Sequence, residues 1–214
     1  MSRLSYREFY WRRLPHFQPR GFAFFITFRL ANSLPMDVVE RLGLESRRVE
    51  DSLSRLPDAP ESHCQREQER RKLFERWDDA LHRLGSGEQY LRNDLVAAIV
   101  ANSIRYHDGD WFDLEALCIM PNHVHLVLTP RERSETEDHS LAAIMHNIKR
   151  NSSKQANLAL NRSGAFWQHE SYDHVVRDDA ELERIVQYVL YNPVQAGLVE
   201  DRTKWKWTYS RYEL

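Results

Sequence analysis

The sequence predicts an α+β fold: one antiparallel β-sheet with helices packed on one face. Three observations lead to it. Residues 21–30, Gly-Phe-Ala-Phe-Phe-Ile-Thr-Phe-Arg-Leu, are rich in aromatic and β-branched residues and read as a buried strand. Residues 113–129 hold two further apolar runs of strand length, separated only by Pro121 and Asn122. Around these runs apolar residues recur at helical spacing, so the order is strand, helices, two strands, helix, strand, helix. No internal repeat or low-complexity tract interrupts it.

Each element follows from local chemistry. Asn32-Ser33-Leu34-Pro35 breaks the first strand, and helical texture begins near Met36. Residues 36–105 read as a mostly helical insertion, with Val38, Val39 and Leu42, then Leu91, Leu95 and Ile99, at helical intervals. Leu56-Pro57-Asp58-Ala59-Pro60 is a loop within it. The charged run 65–83 is a solvated helix face or an insertion adapted to a partner. The strands at 113–120 and 123–129 form either a hairpin or one long bulged strand. Residues 131–139 are charged without apolar periodicity and read as a flexible loop. Ser140 can cap a helix over 141–160 whose inner face is Leu141, Ile144, Met145 and Ile148. A short strand is expected over 172–177. Asp178 or Asp179 can cap a last helix over 180–191, which Pro193 and Gly197 end.

Composition excludes several classes. The chain has 214 residues, enough for a single domain with an insertion; 42% are apolar and 29% charged. Cys64 and Cys118 alone offer neither a disulfide framework nor a cysteine-based zinc site, which points to the cytoplasm. No run approaches a membrane span, and the N-terminus lacks the apolar core of a signal peptide. A net charge of −2 argues against a protein that coats nucleic acid indiscriminately. Local charge differs. The basic, aromatic segment 1–20 and the following strand carry Arg12, Arg13, Arg20 and Arg29 among Tyr6, Phe9, Tyr10, Trp11 and Phe17. That mixture suits phosphate contact and base stacking. Lys149, Arg150, Lys154 and Arg162 form a second basic cluster on a helix and the loop after it. Lys204, Lys206 and Arg211 form a third among tryptophans and tyrosines in the tail 200–214.

The chemistry concentrates in two places. In Met120-Pro121-Asn122-His123-Val124-His125-Leu126, strand alternation projects His123 and His125 from one face, and paired imidazoles suit a divalent cation. Pro121 marks the strand start because it cannot donate to a ladder. In Tyr188-Val189-Leu190-Tyr191-Asn192, Tyr188 and Asn192 are neighbours on one helical face. A tyrosine near a metal-bound phosphate can attack it, and Asn192 offers a neutral oxygen to complete a cation's shell.

These motifs resemble one family. Leu14-Pro15-His16, Phe24 to Leu30, the histidine motif, Gly164-Ala165-Phe166-Trp167-Gln168, Tyr172-Asp173-His174, and Tyr188-Val189-Leu190-Tyr191-Asn192-Pro193-Val194-Gln195-Ala196-Gly197-Leu198-Val199 occur in that order. Together they are similar to the REP-associated tyrosine transposases, a branch of the single-tyrosine HUH transposases. The likeness runs from about Arg12 to Val199 and is weak over 36–105. It implies a ferredoxin-like (RRM-like) antiparallel sheet forming a single transposase domain over 1–214. It also implies a metal-dependent enzyme that nicks and rejoins single-stranded DNA at palindromic hairpins, through a covalent 5′-phosphotyrosine. On that likeness Tyr188 is the nucleophile, with Tyr191 the alternative, and His123 and His125 bind Mg²⁺ or Mn²⁺. Asn192 stands where related insertion-sequence transposases carry glutamine, so its place as third ligand is a looser carry-over. The partner is single-stranded or hairpin DNA of the REP type, in the bacterial cytoplasm at the nucleoid, and the protein acts as a monomer or homodimer.

Several assignments stay open at this level. DNA contacts are expected from Arg12, Arg13, Arg20, Arg29, Lys149, Arg150 and Lys154. The Trp205-Lys206-Trp207 stretch is expected to pack on the sheet rather than to bind DNA. His146 or His174 could act as general base or substitute ligand. Rival readings are a replication-initiator-like nuclease, a non-catalytic or domesticated hairpin-binding protein, and a hydrolase without covalent chemistry.

Overall fold

The computed structural model describes residues 9–11, 15–17, 19–57, 59–83 and 87–213. The expected contacts Arg12 and Arg13 lie outside the described residues. The chain forms two compact units, residues 1–31 with 89–214, and residues 32–88.

In the first unit, β1 (Phe9–Trp11) and β2 (Pro15–Phe17) pair as an antiparallel hairpin. The main sheet contains β3 (Phe24–Arg29), β4 (Phe112–Ile119), β5 (His123–Pro130), β8 (Tyr172–Val175) and β9 (Thr208–Ser210), in the spatial order β8-β3-β5-β4-β9. Every pairing is antiparallel. β4 and β5 are thus a hairpin rather than one long strand, and β5, which bears the histidines, is central. A bulge between Leu114 and Ala116 shifts the register. The extra residue keeps both Leu114 and Leu117 on the core face.

On β3, β5 and β4, one face of the sheet is apolar. Phe24, Ile26 and Phe28 align with Leu128, Leu126 and Val124, and beyond them with Leu114, Leu117 and Ile119. α3 (Asp94–Arg105) covers this face with Val96, Ala97, Val100 and Ile104, and α4 (Leu141–Ala159) with Leu141, Ile144, Met145, Ile148 and Ala156. α3 falls inside the stretch expected as an insertion, yet its buried residues belong to this core. α5 (Asp179–Gln195) lies against the opposite face, where the Tyr188 ring meets Phe25 edge-on at 5.9 Å. Ser140 caps α4 by accepting from Ala143 N, and Asp178 caps α5 by accepting from Glu181 N at 2.7 Å. Pro193, expected to stop α5, sits inside its last turn. Termination falls instead to Gly197, whose φ of 67° closes the helix with Leu198 N donating to Pro193 O.

Residues 131–139, expected as a flexible loop, form a small hairpin of β6 (Glu132–Ser134) and β7 (Glu137–Asp138). The reason lies far away in sequence. Arg20 donates to Asp138 Oδ1 at 3.1 Å and to Glu135 O at 3.0 Å, and Gly21 N donates to Asp138 Oδ2. The C-terminal tryptophans pack, as expected. Trp205 Nε1 donates to Ile119 O, Trp207 O accepts from Ile119 N, and Trp207 lies on the core cluster. β9 thereby extends the sheet beyond β4. Burial and the Glu115 carboxylate that accepts from Tyr212 push that hydroxyl's pKa up to about 12.

The second unit holds α1 (Met36–Leu53) and α2 (Pro60–His82), with Pro60 at the position where a proline's fixed φ suits a helix start. Arg70 pairs bidentately with Glu50 at 2.9 Å, and Trp77 Nε1 donates to Ser46 Oγ. Its two ends meet where Glu88 N donates to Asn32 O. Gly87, at φ 103°, is required there, because a Cβ would lie 2.4 Å from Ser33 O. No helix among the described residues is long and apolar enough to cross a membrane.

Candidate active site

The site grows from the turn between β4 and β5. Met120 N donates to His123 O, closing the turn, while Pro121 O and Asn122 O accept from Leu91 N and Leu30 N. Pro121 therefore contributes only its carbonyl, as its missing N–H requires. β5 begins at His123, so alternation turns His123 and His125 toward the face opposite the apolar core. Both are fully buried. Their Nε2 atoms stand 3.0 Å apart.

The outer nitrogens of the two rings are each oriented by a neighbour. His123 Nδ1 lies 2.6 Å from Asn122 Oδ1, an acceptor, so Nδ1 carries the proton and Nε2 presents a lone pair. His125 Nδ1 lies 2.8 Å from the Thr27 hydroxyl, which can donate or accept. Without a cation, His125 Nε2–H donates to His123 Nε2 and Thr27 donates to Nδ1. With both Nε2 lone pairs turned to a cation, the His125 proton sits on Nδ1 and Thr27 accepts it. Thr27 therefore supports both states. Such outer partners set tautomer and ring orientation at metal sites.

α5 brings the phenol to this pair. The Tyr188 ring lies 5.6 Å from that of His125, at 70°, and Phe25 stacks on His125 at 5.7 Å. Asn192, one turn farther along the same helical stripe, is fully buried. Tyr191 is exposed and lies beneath the Arg202 guanidinium. The start of α5 is tied to β8. Glu181 accepts from Arg177 N at 2.9 Å and pairs with His174 Nε2 at 3.0 Å. Burial alone would raise the Glu181 pKa, but these hydrogen bonds hold it below its ordinary value. His174 is thus engaged with Glu181, and His146 is exposed on α4.

The expected DNA contacts divide. Arg29 is opposite His123 in the β3–β5 register, hence on the same face of the sheet, and burial lowers its guanidinium pKa. Arg20 pairs with Asp138 and Glu132. Lys149 points its ammonium into the protein, donating to Gln168 O, His169 O and Ser171 Oγ at 3.0–3.1 Å. Arg150 and Lys154 are exposed on α4. Sequence reasoning missed Thr27, Asn122 and Phe25. Asn122 adjoins the histidine motif and could have been suspected, but Thr27 and Phe25 carry no local signal.

Residues 88–192 match the model of the family described as transposase, IS200-like; the match includes His123, His125, Tyr188 and Asn192. A Haemophilus influenzae protein provisionally named a REP-associated tyrosine transposase is 29% identical over 102 residues, 45% of this chain and 58% of the relative. The chain thus covers little more than half of that relative's length. The solved structure of a REP-associated tyrosine transposase bound to a REP hairpin superposes with a TM-score of 0.52 at 16% identity. The superposition covers 93% of this chain and 81% of the other, and so shares the fold. Through residues 88–192 this chain is similar to the IS200-like transposases, and its fold is that of a solved REP-associated tyrosine transposase.

Proposed function

We propose that the protein is a metal-dependent endonuclease and strand transferase acting on single-stranded DNA beside a palindromic, REP-type hairpin. The observation that carries this reading is the Tyr188 ring against His125, whose Nε2 meets that of His123. A phenol beside two convergent imidazoles, with a buried amide on the same helix, suits phosphoryl transfer to tyrosine. The substrate and hairpin follow from the relatives, one of which was solved with a REP hairpin. Work on such DNA would place the protein in the cytoplasm at the nucleoid.

His123 and His125, with Asn192 Oδ1, would hold Mn²⁺ or Mg²⁺. The ion's chemistry is to polarise a non-bridging oxygen of the scissile phosphate. Imidazole is a softer ligand than the oxygens Mg²⁺ prefers, so this donor set favours Mn²⁺. Tyr188 Oη loses its proton to solvent and attacks phosphorus. The P–O3′ bond breaks, and the 3′-oxygen leaves and is protonated. The 5′-phosphate remains on Tyr188. A 3′-hydroxyl attacking the phosphotyrosine reverses these steps and joins strands.

The test is a labelled hairpin oligonucleotide with an unpaired flank, incubated with Mn²⁺ and run on a denaturing protein gel. A metal-dependent covalent band is expected, lost in Tyr188→Phe and His123→Ala and kept in Tyr191→Phe. Cleavage without a covalent band would refute the phosphotyrosine step. A band surviving in Tyr188→Phe but not in Tyr191→Phe would move the nucleophile.

A further inference from the structure

Between Asp138 and Glu170 the chain contains no acidic residue. At the chain's overall density, 32 acids in 214 residues, about four or five would fall there. That window contains α4. The buried side of α4 is Ile144, Met145, Ile148, Ser152 and Ala156, and Lys149 bonds inward at its flank. Its outward side carries His146, Arg150 and Lys154 at successive i, i+4 positions, all exposed. Beside them run Asn147, Asn151 and Gln155. Asn151 Nδ2 donates to Asn147 Oδ1 at 2.6 Å, which aligns the two amides along the helix. At 19 residues, α4 is about 28 Å long.

We propose that this outward face of α4 is a docking surface for the duplex stem of the hairpin, with the helix lying in the major groove. The inference rests on the function proposed above and specifies which part of the substrate binds where. Two features select duplex DNA. Arg150 and Lys154, on a helix that itself carries no carboxylate, match a phosphate backbone. A row of amides matches base edges, since Asn and Gln pair with the N6 and N7 positions of adenine in the major groove. An acidic protein surface would account for the cations but not for the amides.

The position of α4 separates binding from chemistry. It covers the apolar face of the sheet, whereas Tyr188, His123 and His125 occupy the other face. Lys149 ties α4 to residues 168–171, which lead directly into β8 at the sheet edge. A stem on α4 therefore sends only its unpaired flank around that edge to the phenol. This arrangement excludes duplex from the reacting groups.

The test uses the full chain, two probes and fluorescence anisotropy over a range of salt. One probe is a hairpin with an unpaired flank; the other is an unpaired strand of equal length. The double variant Arg150→Glu/Lys154→Glu is expected to weaken hairpin binding at least tenfold and to flatten its salt slope by about two ions. Unpaired-strand binding should fall much less. Asn151→Ala should change preference among stem sequences by about fivefold or more while keeping the salt slope. The substituted side chains are exposed, and a melting curve for each variant checks the fold. Unchanged hairpin affinity in the double variant, or equal loss on both probes, overturns the assignment of α4 while leaving the proposed function standing. Failure of the native protein to bind either probe overturns both.

Discussion

Thr27→Val tests the metal centre without touching a ligand. Valine matches threonine in shape but offers neither donor nor acceptor to His125 Nδ1, 2.8 Å away in a buried setting. A buried ring nitrogen that loses its partner costs about 1–3 kcal/mol. The cation-free ring would leave a lone pair at that gap and the cation-bound ring an N–H, so only the difference between the two costs reaches the affinity. The expected loss in Mn²⁺ affinity therefore stays below the roughly 150-fold that the full 3 kcal/mol would give, and an effect of about tenfold lies within the 10–100-fold typical of outer-shell partners. Titration calorimetry with Mn²⁺ and the DNA-free protein reads this directly, independently of any nicking. Thr27→Ser keeps the hydroxyl and should bind close to the native level. Native-like affinity in Thr27→Val, or equal loss in Thr27→Ser and Thr27→Val, would refute the reasoning about the tautomer.

Three further outcomes are expected. Arg29→Gln, opposite His123 in register, should slow single-turnover nicking about 10²- to 10³-fold while weakening hairpin binding less than tenfold; a purely binding defect would show the reverse. The Glu181 carboxyl titrates below its ordinary value when folded, so its contribution is complete above the unfolded value. It is lost as pH falls through the lowered folded value, from about pH 4.5 downward. Glu181→Gln should flatten that acid-side loss in urea melts at pH 3 to 6, and an unchanged slope would exclude the carboxyl. Leu126→Ala, fully buried on the core face of β5, should destabilise by about 2–5 kcal/mol in chemical denaturation, whereas a loss below about 1 kcal/mol would contradict the packing.

Much of the site can be read locally. Alternation alone puts His123 and His125 on one face, and the missing N–H of Pro121 sets where their strand begins. Helical spacing links Tyr188 to Asn192, and Ser140 and Asp178 announce their caps. Lys149 was also open to inspection: it follows Met145 by four residues and so belongs on the flank of the buried stripe, not with Arg150 and Lys154. Pro193 misled because proline forbids only its own hydrogen bond and crowds one carbonyl, which the last turn of a helix tolerates.

Other features depend on partners remote in the chain. The residues 131–139 look like a loop because their charges have no local use; Arg20, more than a hundred residues earlier, supplies it. Thr27 and His125 are 98 residues apart, and only the β3–β5 register joins them. The choice of Tyr188 over Tyr191 as the ring beside His125 rests on the rotation of α5 against the sheet. The sequence by itself determined which residues share a strand face or a helix stripe, because those depend on periods of 2 and 3.6 along one element. Tertiary structure alone decided which faces meet, because register and helix docking are set by packing and hydrogen bonds between segments far apart in the chain.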